Sequence, residues 1–373
     1  MTRSRWGWAL AGLPLAGALL LTSCGATSPA AQAPAAEARP ALAELEVLAD
    51  PRSHAGPSTA VLPEAAITPV AANPAQSLPA TVTSHDQAGP SEVTVADTSR
   101  VVAMDLAGSV AATVWGLGFG ETLVGRDIST TFPGAADLAL VTSDGHTVNA
   151  ESVIALQPTL VITDGTVGPR DVVEQLRDVG ITVVFVNNEA SFEGAAALAR
   201  DVAAVYGAAE AGEALAQRIA ADVAGKIAEI SAIAPAAADE KLRMVFLYLR
   251  GSAGIYYLFG AESGADRLIE ALGGIDVATE QGWEGMKPMT DEALVAANPD
   301  LILVMTKGLE SAGGIDGLLQ DKPAVAVTAA GQNRRFVDMD DGAILSFGPR
   351  SALVLDSLAR AIYAPSPVAA DSP

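Results

Sequence analysis

The chain is poor in the groups that most often carry chemistry: its 373 residues include one cysteine and three histidines. A single cysteine excludes an intrachain disulfide framework and any CxxC metal site. Three histidines exclude a multi-histidine zinc or copper cage. Aromatics are 5% although half the residues are nominally hydrophobic, so much of the apolar count is Ala and Val. Basic residues number 22 against 44 acidic ones, a formal net charge of −22. Nucleic-acid binding needs basic surface to meet phosphates, so the balance excludes that class. It also disfavours unaided attachment to an anionic membrane. No Gly-x-Ser-x-Gly elbow, P-loop or GxGxxG after the first strand is found. The glycines of Gly116-Leu-Gly118-Phe-Gly120 follow a predicted helix and do not suit a phosphate cradle. Binding rather than catalysis is the expectation.

What is present starts with an export signature. Arg3 and Arg5 precede an apolar run from Trp6 to Leu21, short of the ~20 residues a membrane span needs. Gly7, Gly12, Pro14 and Gly17 interrupt it, which suits no stable buried helix. The run ends Leu21-Thr22-Ser23-Cys24, which resembles a bacterial lipobox. Cleavage before Cys24 and lipid on its sulfur would anchor the protein to the outer face of a membrane without spanning it. Residues 1–24 are therefore read as a lipoprotein signal peptide. Residues 25–97 contain ten prolines and no Phe, Trp or Tyr. Lacking large apolar groups to offset ordering entropy, the segment is expected to be a disordered tether, with His54 and His85 as solvated linker histidines.

From residue 98 strands alternate with helices. Arg100 to Asp105, Thr122 to Arg126, Leu160 to Thr163 and Val183 to Val186 read as strands; Gly108 to Gly118 and Arg170 to Asp178 read as helices. Leu215, Ile219, Val223, Ile227 and Ile230 then form one stripe of a long helix over 208–234. A second series follows: strands at Met244 to Leu249, Ile255 to Phe259, Leu301 to Met305 and Arg335 to Met339, with helices at Ala265 to Leu272, Asp291 to Ala297 and Arg350 to Tyr363. A gapless internal repeat relates the halves. Asn149-Ala-Glu151 through Gln-Pro158 into Leu160 matches Thr290-Asp-Glu292 through Asn-Pro299 into Leu301. Each copy opens on an N-cap candidate, places an acid in the first turn and stops at proline before a strand. The pattern predicts an α/β protein of two lobes with mostly parallel sheets, at 98–207 and 235–364, bridged by one long helix, with a disordered tail at 365–373.

On these features the chain resembles the substrate-binding lipoproteins of ABC importers whose lobes are joined by a single rigid helix, the class serving cobalamin, ferric siderophores and haem. The resemblance covers Ser99 to Tyr363 and the lipobox. It implies that Glu151 and Glu292, at the same place in each repeat, dock to arginines of a permease that works with its own ATPase. Two segments point to haem within that class. Val141-Thr-Ser-Asp-Gly145-His146-Thr-Val-Asn149 puts the globular part's single histidine after a turn signal. In Val245-Phe-Leu-Tyr248-Leu-Arg250-Gly-Ser-Ala-Gly254-Ile-Tyr256-Tyr257, Tyr248 and Arg250 share a strand face near its C-terminal end, where open α/β sheets present ligands. Ferric iron favours an anionic oxygen donor, and tyrosinate is a known axial ligand.

Both segments are similar to the HmuT-type haemin-binding lipoproteins of Gram-positive bacteria. That resemblance implies haem b (iron protoporphyrin IX) as cargo, His146 and Tyr248 as axial ligands and Arg250 as the residue steadying the tyrosine. Tyr257, Met289, Met286 and Trp283 are further candidates for lining the porphyrin, with core packing as the rival role. No residue is assigned to the propionates, and a separate haem donor is left open. A siderophore or cobalamin protein of the same architecture is the rival reading; it needs no His and Tyr at these two places.

Overall fold

A computed structural model describes residues 39–365 except 64–65, 87 and 144. Cys24 and the lipobox, the first part of the expected tether and most of the tail lie outside the described residues. One sheet runs in the order Thr182–Phe185, Leu160–Thr163, Val101–Met104, Leu123–Arg126, Ala139–Leu140, parallel throughout. The other runs Ser58–Ala60, Phe336–Met339, Leu301–Met305, Arg243–Arg250 in parallel, then Ile255–Phe259 and Met286–Pro288 antiparallel. The short strand Ile275–Asp276 pairs with the start of Arg243–Arg250. Val101–Met104 and Leu160–Thr163 are buried at every position, as strands covered on both faces must be. In Arg243–Arg250 the pleat divides the core. Met244 and Phe246 join the large cluster shared with the long helix, while Val245, Leu247 and Leu249 pack on a second cluster behind the sheet.

The bridging helix is Ala209–Ser231, with Leu215, Ile219, Val223 and Ile230 buried along one face. It packs against Phe192–Val205 of the first lobe and Ser351–Tyr363 of the second. Sequence patterning did not single out Phe192–Val205: it is rich in alanine, so its stripe has little amplitude. Its start is set by Ser191, whose Oγ accepts the Gly194 N–H at 2.8 Å.

The tether expectation is corrected over its described part. Residues 39–97 form a strap that crosses both lobes. On the second lobe the Leu48 N–H donates to Tyr363 O at 2.8 Å and the Gly56 N–H to Asn333 O at 2.8 Å. Ser58–Ala60 adds an edge strand to Phe336–Met339. On the first lobe the Val70 N–H donates to Gly116 O at 2.9 Å and the Ser77 N–H to Gly207 O at 3.0 Å. A hairpin, Ala80–Asp86 with Gly89–Val95, follows, and its Asp86 pairs with Arg177 at 2.6 Å. Composition misled because it measures whether a segment can build its own core. This one lends a few aliphatics, Leu42, Ile67 and Val95, to a core that already exists, and its backbone groups bond to the body. His54 is accordingly half-buried, its pKa lowered by burial and then by the Arg335 charge, whereas His85 stands exposed on the hairpin.

Arg335 staples the strap down. Its buried guanidinium donates to Ser58 Oγ at 2.9 Å, Ala361 O at 3.2 Å and Ile362 O at 2.8 Å, and burial pushes its pKa down to about 10. Arg335→Ala strands three acceptors, so a loss of about 3 kcal/mol is expected. The readout is a lower denaturant midpoint, with proteolytic cleavage appearing first in 39–63; an unchanged midpoint would contradict the stapling role.

Candidate functional site

In each sheet the first strand of the lobe lies centrally and the chain builds to one side, then the other. That reversal opens a crevice at the carboxyl ends of the central strands. In the second lobe the central strand is Arg243–Arg250. Tyr248 lies directly opposite Tyr257, and Phe246 opposite Phe259, so all four side chains share the face that carries Arg250. The Tyr248 and Phe259 rings stack at 6.1 Å between centroids and 20°. Arg250 lies over Tyr248, its Cζ 4.6 Å from the ring centroid. Its donors go elsewhere, Nη2 to Asp341 Oδ2 at 3.2 Å and Nη1 to Leu249 O at 2.8 Å. The expected pairing of guanidinium and phenol is thus present as a cation–π contact rather than a bond to the hydroxyl. Gly251 follows because a Cβ there would run into the Ala312 backbone.

The first lobe supplies His146. It sits on the turn of a small hairpin, Thr142–Ser143 with Thr147–Val148, made possible by Gly145 at φ 85°. Asn149 then caps the repeat helix, its Oδ1 accepting the Ser152 N–H at 2.9 Å. The imidazole Nδ1 is buried with no hydrogen-bond partner among the described residues. The pKa of His146 is lowered by burial first and by the Arg250 charge second, with Asp341 opposing. A histidine of one lobe therefore stands in the field of the Arg250–Asp341 pair of the other, in its neutral, lone-pair-bearing form.

The remaining candidates divide. Tyr257 joins the Tyr248 face. Met289 does not: its N–H bonds Tyr256 O at 2.9 Å, and its side chain packs with Trp283 on the cluster of Val245, Leu247 and Leu249. Pleat parity decides this, because Met286 pairs with Phe259 and position 289 falls on the other face. Met286, exposed by 54%, is the methionine on the tyrosine side. Glu151 and Glu292 are exposed in the first turns of their helices.

Sequence reasoning missed the apolar wall. Leu106 and Ile128 are 50% and 41% exposed, just past the carboxyl ends of Val101–Met104 and Leu123–Arg126. The Ile128 N–H donates to Thr142 Oγ1 at 3.0 Å, tying that wall to the His146 hairpin. Reading strand ends for lone aliphatics after Asp105 and Asp127 could have found them. Beneath them Asp105 and Asp127 are buried. Burial, with repulsion from Asp127 and Asp164, pushes the Asp105 carboxyl well up. Burial pushes Asp127 up to about 6, against the N–H donors of Asp105, Thr130 and Ser129. A folded pKa of about 6 above an unfolded value near 3.8 means the folded state holds a proton the unfolded chain has lost. Stability from this group therefore falls as pH rises through that window. Relative to Asp127→Asn, the parent should lose Tm between about pH 4 and pH 7; a constant difference in Tm across that range would refute the assignment.

Comparison with known proteins gives the same architecture. Residues 102–343 match the periplasmic binding protein family. A crystal structure of the heme binding protein HmuT is 40% identical with a TM-score of 0.78, covering 84% of this chain and 99% of that one. Structures of HmuT with an arginine, a tyrosine or a histidine replaced by alanine are similar as well. The periplasmic heme-binding protein RhuT from Roseiflexus sp. RS-1, in apo form, is 34% identical with a TM-score of 0.64 over 72% of this chain and 98% of its own. An uncharacterized ABC transporter substrate-binding lipoprotein of Bacillus subtilis (strain 168), YvrC, is 26% identical over 281 residues, 74% of this chain and 84% of that protein.

Proposed function

This chain belongs to the periplasmic binding protein family, and we propose that it captures haem between its lobes, outside the cytoplasm, and delivers it to an ABC importer. The observation that carries the reading is His146, with its orphaned buried Nδ1, standing in the field of Arg250 and Asp341 of the opposite lobe, where Arg250 packs over Tyr248. Ferric iron in a porphyrin brings four nitrogen ligands and leaves two axial positions. A phenolate suits the hard Fe(III), and a neutral imidazole can serve the other side. The Arg250 guanidinium packs over the Tyr248 ring and holds the side chain in place. Leu106 and Ile128 on one wall, with Tyr257 on the other, offer apolar surface to a flat macrocycle. The relatives named for heme support the same cargo, since this chain resembles them over most of its length. Capture rather than turnover is the activity, as for the family at large.

Adding hemin to the purified protein is expected to give a Soret band with six-coordinate character. Tyr248→Ala should abolish that signature, His146→Ala should convert it to a five-coordinate form, and Arg250→Ala should weaken retention without removing either axial donor. Equal spectra for all four proteins would dismiss the axial assignment.

Delivery is assigned to Glu151 and Glu292, each in the first turn of its repeat helix. Ile154 and Val295, one turn further on at equivalent repeat positions, are 39% and 46% exposed. Each lobe thus presents an acid beside an aliphatic, which fits a partner with two matching basic and apolar sites. A permease pair driven by its ATPase is that partner, with lipidated Cys24 keeping the protein at the membrane and a haem donor upstream as an optional source. Glu151→Ala/Glu292→Ala should bind hemin as the parent does yet fail to support haem-dependent growth; normal growth of the double variant would remove the docking role.

A further inference from the structure

The two lobes meet backbone to backbone. Gly342 lies just past the carboxyl end of Phe336–Met339 in the second lobe. A Cβ on it would stand 2.6 Å from Ser129 O and 2.8 Å from Thr131 Oγ1 of the first lobe, so no side chain fits between. Thr131 Oγ1 donates to Asp340 Oδ1 across the same contact at 3.3 Å. The lobes meet again at Phe192 and Phe347, whose rings stand edge to face at 5.1 Å between centroids, with Ala190 against Gly264.

Both sides of the Gly342 contact are braced. Ser129 O is backed by Gly108, where a Cβ would again stand 2.6 Å from it. The Ser129 and Thr130 N–H groups donate to Asp127 Oδ1 at 2.7 and 2.8 Å, and Ser129 Oγ donates to Leu106 O at 2.7 Å. Opposite, the Gly342 N–H donates to Asp340 Oδ1 at 3.0 Å, and Arg350 Nη2 donates to Gly342 O at 3.3 Å. Close-packed, hydrogen-bonded segments pass a displacement on rather than absorb it.

Each side also leads to an axial candidate. On the first lobe Ile128 precedes Ser129, and its N–H donates at 3.0 Å to Thr142 Oγ1 of the hairpin that carries His146. On the second, Asp341 precedes Gly342 and pairs at 3.2 Å with Arg250, whose guanidinium packs over Tyr248. One contact thus joins the support of the histidine to the support of the tyrosine.

We propose that Gly342 is a positioning residue: the close backbone contact it permits with Ser129 sets how near His146 comes to the Tyr248 lobe, and so whether one iron can hold both axial donors. The proposal rests on the haem reading and deepens it. Metal–donor distances hold to about 0.2 Å. A methyl group on Gly342 would have to move from 2.6 Å to an ordinary contact at 3.4 Å from Ser129 O, which is more than an axial bond tolerates.

The test titrates hemin into the parent, Gly342→Ala, Thr131→Phe and Gly348→Ala, read by Soret absorbance and electron paramagnetic resonance. Gly348 lies in the same segment, but a Cβ there meets nothing within 4 Å, so Gly348→Ala should match the parent. Gly342→Ala should show the five-coordinate signature of His146→Ala, and added imidazole should return it to six-coordinate. In the haem-free proteins, with Cys24→Ser, nitroxides on Asp178→Cys and Glu270→Cys, both exposed positions, should report an inter-lobe distance that shifts in Gly342→Ala and not in Gly348→Ala. Thr131 is exposed, so Thr131→Phe adds bulk at the same contact and reads it even if Gly342→Ala disturbs folding. Six-coordinate binding by Gly342→Ala, or by Thr131→Phe where the glycine variant does not fold, overturns the positioning role and leaves axial ligation standing. An unchanged inter-lobe distance in Gly342→Ala overturns it as well. Absence of an axial signature in the parent overturns the haem reading and the effect on ligation with it, whereas the nitroxide distance still decides whether this contact spaces the lobes.

Discussion

The spacing of the two lobes is the constraint on which everything at the cleft depends. His146 and Tyr248 lie on different lobes, and neither can serve one iron unless the gap between them is held. Two crossings hold it. The helix Ala209–Ser231 is buried against helices of both lobes along a continuous aliphatic face, and Lys226 on it reaches Asp356 of the closing helix at 2.9 Å. The strap is the second crossing. It is tied to the second lobe by Arg335 and an edge strand, and to the first by backbone bonds around Gly116 and Gly207. Arg218 of the long helix adds a bond to Thr68 O at 2.7 Å. Two crossings at different places resist twisting as well as opening, so small adjustments at the cleft are favoured over wide closure.

Within that frame each lobe works by the same device. A central parallel strand ends at the cleft, and the side chains at or just past that end set the character of its wall. In the first lobe these are aliphatic, Leu106 and Ile128, set over buried carboxylates. In the second they are aromatic and cationic, Tyr248, Tyr257 and Arg250. The asymmetry suits a ligand with a flat apolar body and charged appendages. It also follows from sheet type: the all-parallel first sheet presents only strand ends, whereas the antiparallel strand Ile255–Phe259 adds a second row, Tyr257 and Phe259, to the same face.

The parts of this fold that were legible in the sequence are those where local and tertiary signals agree. Leu160–Thr163, Ile255–Phe259, Arg170–Asp178 and the long helix fall where periodicity placed them, because β-branched runs and an aliphatic stripe have one good solution each. The internal repeat was visible for the same reason, with Asn149 and Thr290 capping as their side chains dictate. The strap was illegible because its order comes from partners distant along the chain, from Val70 with Gly116 to Ser58 with Ala361. Met289 was misplaced because a residue's face depends on register, and the pairing of Met286 with Phe259 is a tertiary fact. Leu106 and Ile128 carry only a faint local mark, one aliphatic after the aspartate that ends a strand; the strand order is what makes them neighbours of the cleft.

The acidity of the chain acquires a role from this arrangement. A net charge of −22 repels an anionic porphyrin at long range, yet salt screens that repulsion beyond about 8–10 Å. What decides binding is the charge inside that radius, and there the Arg250 guanidinium stands over Tyr248 at the end of its strand. The acids that remain on the rim, Glu151 and Glu292, are free to face a basic partner. Segregating a cation inside the cleft from carboxylates outside lets an acidic chain hold a negatively charged cargo.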